Sequence, residues 1–228
     1  MKHFGVIIRE GTRGYKLDRE RYAIPNPHNS LDCVLEDSEK YWAKRGIALY
    51  SDTDKKYYSD EWCKLHRQDC LENFDLNMQF FASLNHDMFE IELQHLLSAC
   101  PKFTEVFDLK QYEKVAGYYI MVLDEYCQVY IGTTKDIKAR IQDHWSRGMP
   151  FDRLIFGGKT TSKLSINCFR PLDTTRIFAY PTKRTYITES TYIKYFSNQF
   201  VCNRLSGGLR TDGMMQPDDF VTMHRKLL

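Results

Sequence analysis

Four side chains near the middle of the chain have types and spacings that would let them act on one ligand, a cation and an imidazole beside two phenols: Tyr119, Tyr130, Arg140 and His144. A guanidinium forks onto two phosphate oxygens while staying charged, which an ammonium does less well. An imidazole exchanges protons near neutral pH. A phenol ordinarily ionises near pH ~10, but adjacent positive charge stabilises the phenolate and makes proton abstraction feasible. Arg140 and His144 stand one helical turn apart, so on a helix they share a face and act on one ligand.

The stretch GYYIMVLDEYCQVYIGTTKDIKARIQDH, residues 117–144, must position these groups. Two runs rich in aromatic and β-branched residues, Gly117 to Leu123 and Gln128 to Ile131, flank Asp124 to Cys127 and predict a hairpin that puts both tyrosines on neighbouring strands. Gly132 is expected to break the second strand. Thr133 or Thr134 is then expected to cap a helix from about Lys135 to Trp145, since a short hydroxyl side chain accepts an orphan amide of the first turn. Ile137 and Ile141 supply its buried stripe.

These residues resemble the GIY-YIG nuclease superfamily. Gly117-Tyr118-Tyr119 corresponds to the first strand motif, with Tyr118 where Ile is usual, and Tyr130-Ile131-Gly132 to the second. Members place a catalytic Arg ten residues beyond the second motif's Tyr and a His or Tyr four further on, the positions of Arg140 and His144. They also carry a metal-binding Glu on a later helix and an Asn beyond it. Here TYITESTYIKYFSNQFVCNRLSGG supplies Glu189 and Asn203, 14 residues apart. The resemblance covers roughly residues 116–208. It implies an α+β fold with a small central antiparallel three-stranded sheet flanked by helices. The third strand is expected near Arg176 to Tyr180, with Gly157-Gly158 and Lys159 to Lys163 forming an insertion or substrate loop. Tyr186, Tyr192, Ile193 and Phe196 suggest a helix from Thr185 to Phe200 that carries Glu189 towards the site.

The resemblance implies a metal-dependent endonuclease that hydrolyses DNA phosphodiester bonds. Such a reaction needs a nucleophilic water, neutralised phosphoryl oxygens and help for the departing alkoxide. Tyr130 is the expected general base, Tyr119 its orienting partner and Arg140 the stabiliser of the pentacoordinate transition state. His144 is expected to hydrogen-bond the water or a tyrosine. Glu189 offers hard oxygen to one Mg²⁺ or Mn²⁺ ion, and one carboxylate suffices for a cation that keeps several waters. Lys135, Lys138 and Lys159 are expected on the substrate-binding surface, and Asn203 either contacts phosphate or caps the Glu helix. Taken singly, these residues would be read as strand packing or solvated helix faces. Five together, in order, are read as a site. The alternatives are a catalytically silent nucleic-acid-binding module and a regulatory protein-interaction module.

Charge is distributed to match. Residues 111–228 hold 17 Lys and Arg against 11 Asp and Glu, whereas residues 1–110 hold 15 against 19. The basic half contains the motifs, as a phosphate-binding partner of DNA requires. An apolar content of 43% over 228 residues is ample for a buried core. Seven cysteines, an odd number with no C-x-x-C pair, suggest reduced thiols and a cytoplasmic setting. MKHFGVIIREG has too short an apolar core for a signal peptide, and no run reaches the ~18 apolar residues of a membrane span.

The chain divides by this reading into a mainly helical accessory module over 1–110, a nuclease-like domain over 111–210 and a tail over 211–228. His3 to Arg9 predicts a strand, Gly11 to Gly14 a turn, and the Pro25 to Ser30 stretch a loop. Helical patterning begins at Ser38 and returns over Ser59 to Phe74 and Leu76 to Cys100, with Pro101 as the stop. Cys63, His66 and Cys70 would share a face of the first of these two helices, a conceivable zinc set that lacks a fourth ligand. No family is recognised in this half. Its expected task is to target or restrain the nuclease, through a regulatory partner or a homodimer contact.

Overall fold

The computed structural model describes residues 1–24, 60–183 and 189–203. The Pro25 to Ser30 loop, the helix expected from Ser38 and the tail over 211–228 lie outside the described residues. The chain is mixed α+β, with five α-helices and two antiparallel sheets among the described residues.

A two-stranded ribbon, β1 (Lys2–His3) and β2 (Val6–Ile7), opens the chain. The expected turn at Gly11 to Gly14 closes with the Gly14 amide on the Gly11 carbonyl at 3.0 Å. Helix α1 (Arg19–Tyr22) follows, capped by Asp18. Helix α2 runs unbroken over Asp60–Ala82, and α3 spans His86–Ala99. The division therefore falls at residues 83–85 and not near Asp75 as the apolar pattern suggested. Asn85 decides this, because its side chain accepts the Met88 amide at 2.9 Å and starts a new helix there.

The main sheet has the order β3-β6-β4-β5, with β3 at Thr104–Glu105, β4 at Gly117–Leu123, β5 at Gln128–Thr134 and β6 at Arg176–Pro181. The expected three strands are its long members. The fourth, β3, is a two-residue addition that pairs Thr104 with Ala179 and so covers the outer edge of β6. Helix α4 (Ile137–Ser146) lies on one face of the sheet. Every residue of β4 is buried, as expected of a strand with strands on both sides and cover on both faces.

Alternation along β4 sorts its side chains. Tyr119 and Met121 face the α4 side, where Met121 is directly opposite Tyr130 across the hairpin. Tyr118 faces the other way and packs on Tyr180 and Tyr192, at ring-centroid distances of 6.0 and 5.0 Å. Aromatic pairs of this kind contribute ~0.5–1.5 kcal/mol beyond area burial. Leu93 and Leu96 of α3 and Phe74 and Phe81 of α2 share one apolar core with the sheet, so residues on both sides of position 110 are packed together. Arg176 of β6 also bonds Glu90 of α3 and Asp124 beside the hairpin turn.

Two local expectations are corrected. Gly132 does not end β5, which continues to Thr134, and the cap of α4 is Asp136, whose carboxylate accepts the Ala139 amide at 2.9 Å. The two threonines are still in the ladder and so are not free to cap. The helix expected over Thr185–Phe200 is a short α5 (Ser190–Ile193) followed by a 3₁₀ turn at Asn198–Phe200, with residues 184–188 outside the described ones. Tyr192 and Phe196 are buried by contacts that do not require a continuous helix. No helix among the described residues is long and apolar enough to cross a membrane.

Candidate active site

Tyr119 from β4, Tyr130 from β5 and Arg140 and His144 from α4 meet on one face of the sheet. The His144 Nε2 lies 2.8 Å from the Tyr119 hydroxyl, and its Nδ1 lies 2.6 Å from the Asn167 side-chain oxygen. An amide oxygen only accepts, so Nδ1 carries the ring proton and Nε2 takes the hydrogen bond that Tyr119 donates. The Tyr130 ring stands edge-on to His144 at 4.9 Å and 6.1 Å from the Tyr119 ring.

The motif glycines have a steric origin. A β-carbon on Gly132 would lie 2.4 Å from the Tyr119 hydroxyl oxygen, because that phenol crosses directly over the β5 backbone on its way to His144. A β-carbon on Gly117 would lie 2.2 Å from the Tyr180 carbonyl oxygen, an immovable neighbour across β6. Each small residue permits a close approach of a strand to what crosses it.

Burial dominates the electrostatics. His144 is 1% exposed, and its pKa is pushed down to about 4 by desolvation, opposed by the Asn167 bond and aided by the nearby Arg140 charge. It is therefore neutral at physiological pH. Burial holds the Tyr119 hydroxyl well above its ordinary range, with the Tyr130 phenol adding to this and Arg140 opposing it. Burial and then the Glu189 charge raise Tyr130 as well, again against Arg140. Arg140 thus lies in reach of both phenols, and its guanidinium also bonds Asp143 at 3.1 Å.

Glu189 and Asn203 come to the outer edge of β5, along which Val201 also bridges Val129. One Glu189 carboxylate oxygen accepts the Thr133 amide at 2.9 Å. Asn203 makes a two-way bridge to Ile131, accepting from its amide at 3.1 Å and donating to its carbonyl at 2.7 Å. It caps a strand edge and not the Glu helix. Glu189 is half-buried, and desolvation raises its pKa against the pull of the Thr133 amide and Arg140. Among the described residues it has no ion-pair partner, so one hard oxygen remains for a cation. That donor fits Mg²⁺ or Mn²⁺, which take one or two carboxylates and keep waters.

The three lysines do not join this cluster. Lys135 is exposed beside it. Lys138 pairs with Glu113 at 2.9 Å. Lys159 is held between Asp69 and Glu72 of α2, at 2.8 and 2.7 Å, and ties the 157–165 loop to that helix. The same loop is fastened by Asn73 and Asn77 of α2, which donate to the Ser162 carbonyl at 2.8 and 2.9 Å. Cys63, His66 and Cys70 are not a metal set. The His66 Nε2 is engaged by the Phe151 carbonyl at 2.9 Å, and no metal-ligating cluster of three His, Cys, Asp or Glu occurs among the described residues.

The residue that sequence reasoning missed is Asn167. It sits in a 3₁₀ turn at Ile166–Cys168 with no catalytic motif around it, and only the path of the 157–165 loop along α2 brings it to His144. Comparison of the chain with protein-family models, with characterised proteins and with solved structures returns no match.

Proposed function

We propose that the chain is a divalent-metal-dependent endonuclease of GIY-YIG type that hydrolyses DNA phosphodiester bonds. The observation that carries this reading is the meeting of Tyr119, Tyr130, Arg140 and His144 on one sheet face, with the Glu189 carboxylate at the adjoining strand edge. Packing alone has no need of a guanidinium between two phenols and a half-buried carboxylate.

In this reading Arg140 takes the phosphoryl oxygens, its fork already reaching from Asp143 towards the phenols. His144, neutral and held by Asn167, accepts the hydrogen bond that Tyr119 donates and fixes the hydroxyl in place. Tyr119 in turn sets the position of Tyr130, the base that takes the proton from the attacking water. Burial, and after it the Glu189 charge, keeps the Tyr130 hydroxyl protonated. A divalent ion held by Glu189 would supply positive charge against the phosphoryl oxygens and the departing alkoxide. Compensating the Glu189 charge would remove the second of the two causes that raise Tyr130, and Arg140 would oppose the burial that remains.

The test is incubation of purified protein with labelled single- and double-stranded DNA and Mg²⁺ or Mn²⁺, beside Glu189→Ala and Tyr130→Phe. Metal-dependent cutting that falls by about 10²-fold or more in both variants is expected. Cutting that survives in both, or DNA binding without any cutting in the wild type, overturns the assignment of a nuclease site.

A further inference from the structure

A second basic feature lies outside the cluster of phenols. A cleft of about 690 Å³ opens between the residue 7–14 segment and the C-terminal end of α4, lined by Arg9, Arg13, Gln142, Ser146, Gly148 and Arg170 among others. Among the described residues, no carboxylate lines it, and none forms an ion pair with any of the three arginines.

How the cations are held matters more than their number. Arg170 is 3% exposed, and its guanidinium donates to the carbonyls of Cys168 at 3.0 Å, Trp145 at 3.1 Å and Asn167. These neutral acceptors orient the charge, and the buried Asp173 carboxylate, which takes the Arg170 backbone amide, acts on it less strongly than the opposing charge of Arg13. Arg13 extends over the backbone of Gly148, where a β-carbon would collide with its guanidinium, and donates to the Met149 carbonyl at 3.1 Å. Two guanidinium groups are thus kept near each other although like charges repel, as the effect of Arg13 on Arg170 shows. An arrangement that holds two arginines together in a concavity lined by no carboxylate is suited to an anion.

Position favours one kind of anion. Arg140 and His144 occupy one flank of α4, whereas Gln142 and Ser146 are offset from them by two residues, or about 200° around the axis. The solvent face between the flanks carries Asp143, bonded to both Arg140 and Arg147 at 3.1 Å, leaving that row net positive. The cleft and the phenol cluster are therefore about one helix thickness apart, ~10–12 Å, close to the ~12 Å width of a duplex major groove. A repeating polyanion spans both, and a small anion does not.

We infer that the cleft is a second contact for backbone phosphates of a nucleic acid, with Arg9 and Arg13 as the groups that touch phosphate and Arg170 as the fixed charge beneath them. This rests on the nucleic-acid part of the proposed function but not on its hydrolytic part. It makes the N-terminal ribbon, for which the motifs offered no role, a component of the binding surface.

The test measures binding without cutting. Anisotropy of a short fluorescein-labelled DNA duplex is followed over a range of KCl without divalent metal, for wild type, the Arg9→Ala/Arg13→Ala double variant and Gly148→Ala. Each lost phosphate contact removes ~0.9 from the slope of log affinity against log salt, so the double variant is expected to lose about 2 and to bind at least about tenfold more weakly at low salt. Gly148→Ala removes no charge but must push the mobile end of Arg13 aside, and about half that loss is expected. A double variant with the wild-type slope overturns the proposal, as does a wild type that binds no DNA. Arginine-dependent binding of poly-glutamate in place of DNA also overturns it, and assigns the cleft to an acidic protein partner. Failure of DNA cutting while the slope change persists counts against the hydrolytic reading alone.

Discussion

Protonation of His144 gives the sharpest prediction, because its size follows from the geometry. Burial of the ring outweighs the Asn167 bond that favours the charged form, with the Arg140 charge adding to burial, so the folded-state pKa is about 4. In the unfolded chain it is ~6.5. The unfolded state therefore binds the extra proton first, and the group's contribution to stability is complete above pH ~6.5 and lost as pH falls through about 4. The loss is about 2 kcal/mol at pH ~5 and about 3 kcal/mol once both states are protonated, at ~1.4 kcal/mol per pH unit of the window. With a urea dependence of ~2 kcal/mol per molar, the midpoint should fall by about 1 M between pH ~7.5 and pH ~5 on this account alone. The chain has seven histidines, so the comparison is with His144→Gln, which cannot titrate. That variant is expected to start less stable at pH ~7.5 and to lose about 2 kcal/mol less on acidification. Parallel losses in the two proteins would refute the assignment of His144 as a buried neutral acceptor for Tyr119.

Two further substitutions probe how the site is built. Gly132→Ala places a methyl 2.4 Å from the hydroxyl oxygen and 2.8 Å from a ring carbon of Tyr119, which is fully buried and has nowhere to swing. We expect a cost of ~1–3 kcal/mol in urea unfolding and a loss of cutting greater than Gly148→Ala produces; wild-type stability would show that the phenol does not cross the strand. Asn203→Ala removes both bonds to Ile131 at the β5 edge, with an expected cost of ~1–3 kcal/mol. Hydrogen exchange at the Ile131 amide should accelerate, and unchanged protection there would contradict the edge-capping role.

The elements that carry the candidate site were legible because their signals are local. Aromatic and β-branched runs either side of Asp124 to Cys127 read directly as the β4–β5 hairpin, and the Ile137, Ile141 spacing as α4. The one-turn separation of Arg140 and His144 needs no tertiary information to put them on one face. Other features had no local signature. Gly132 reads as a strand breaker in a window of sequence, yet its absent side chain serves a phenol from another strand. Asp136 wins the cap from Thr133 and Thr134 only because sheet pairing claims them. Lys159 reads as a free cation until Asp69 and Glu72, some 90 residues earlier, neutralise it. Asn167 becomes a partner of His144 only through a loop that Asn73 and Asn77 hold against α2. Residue types and short spacings thus determined which groups could act, since periodicity and turn chemistry are properties of neighbouring residues. Which charges remain uncompensated, which imidazole stays neutral and which surface is left open were decided by tertiary structure, because burial and long-range pairing depend on segments that only folding brings together.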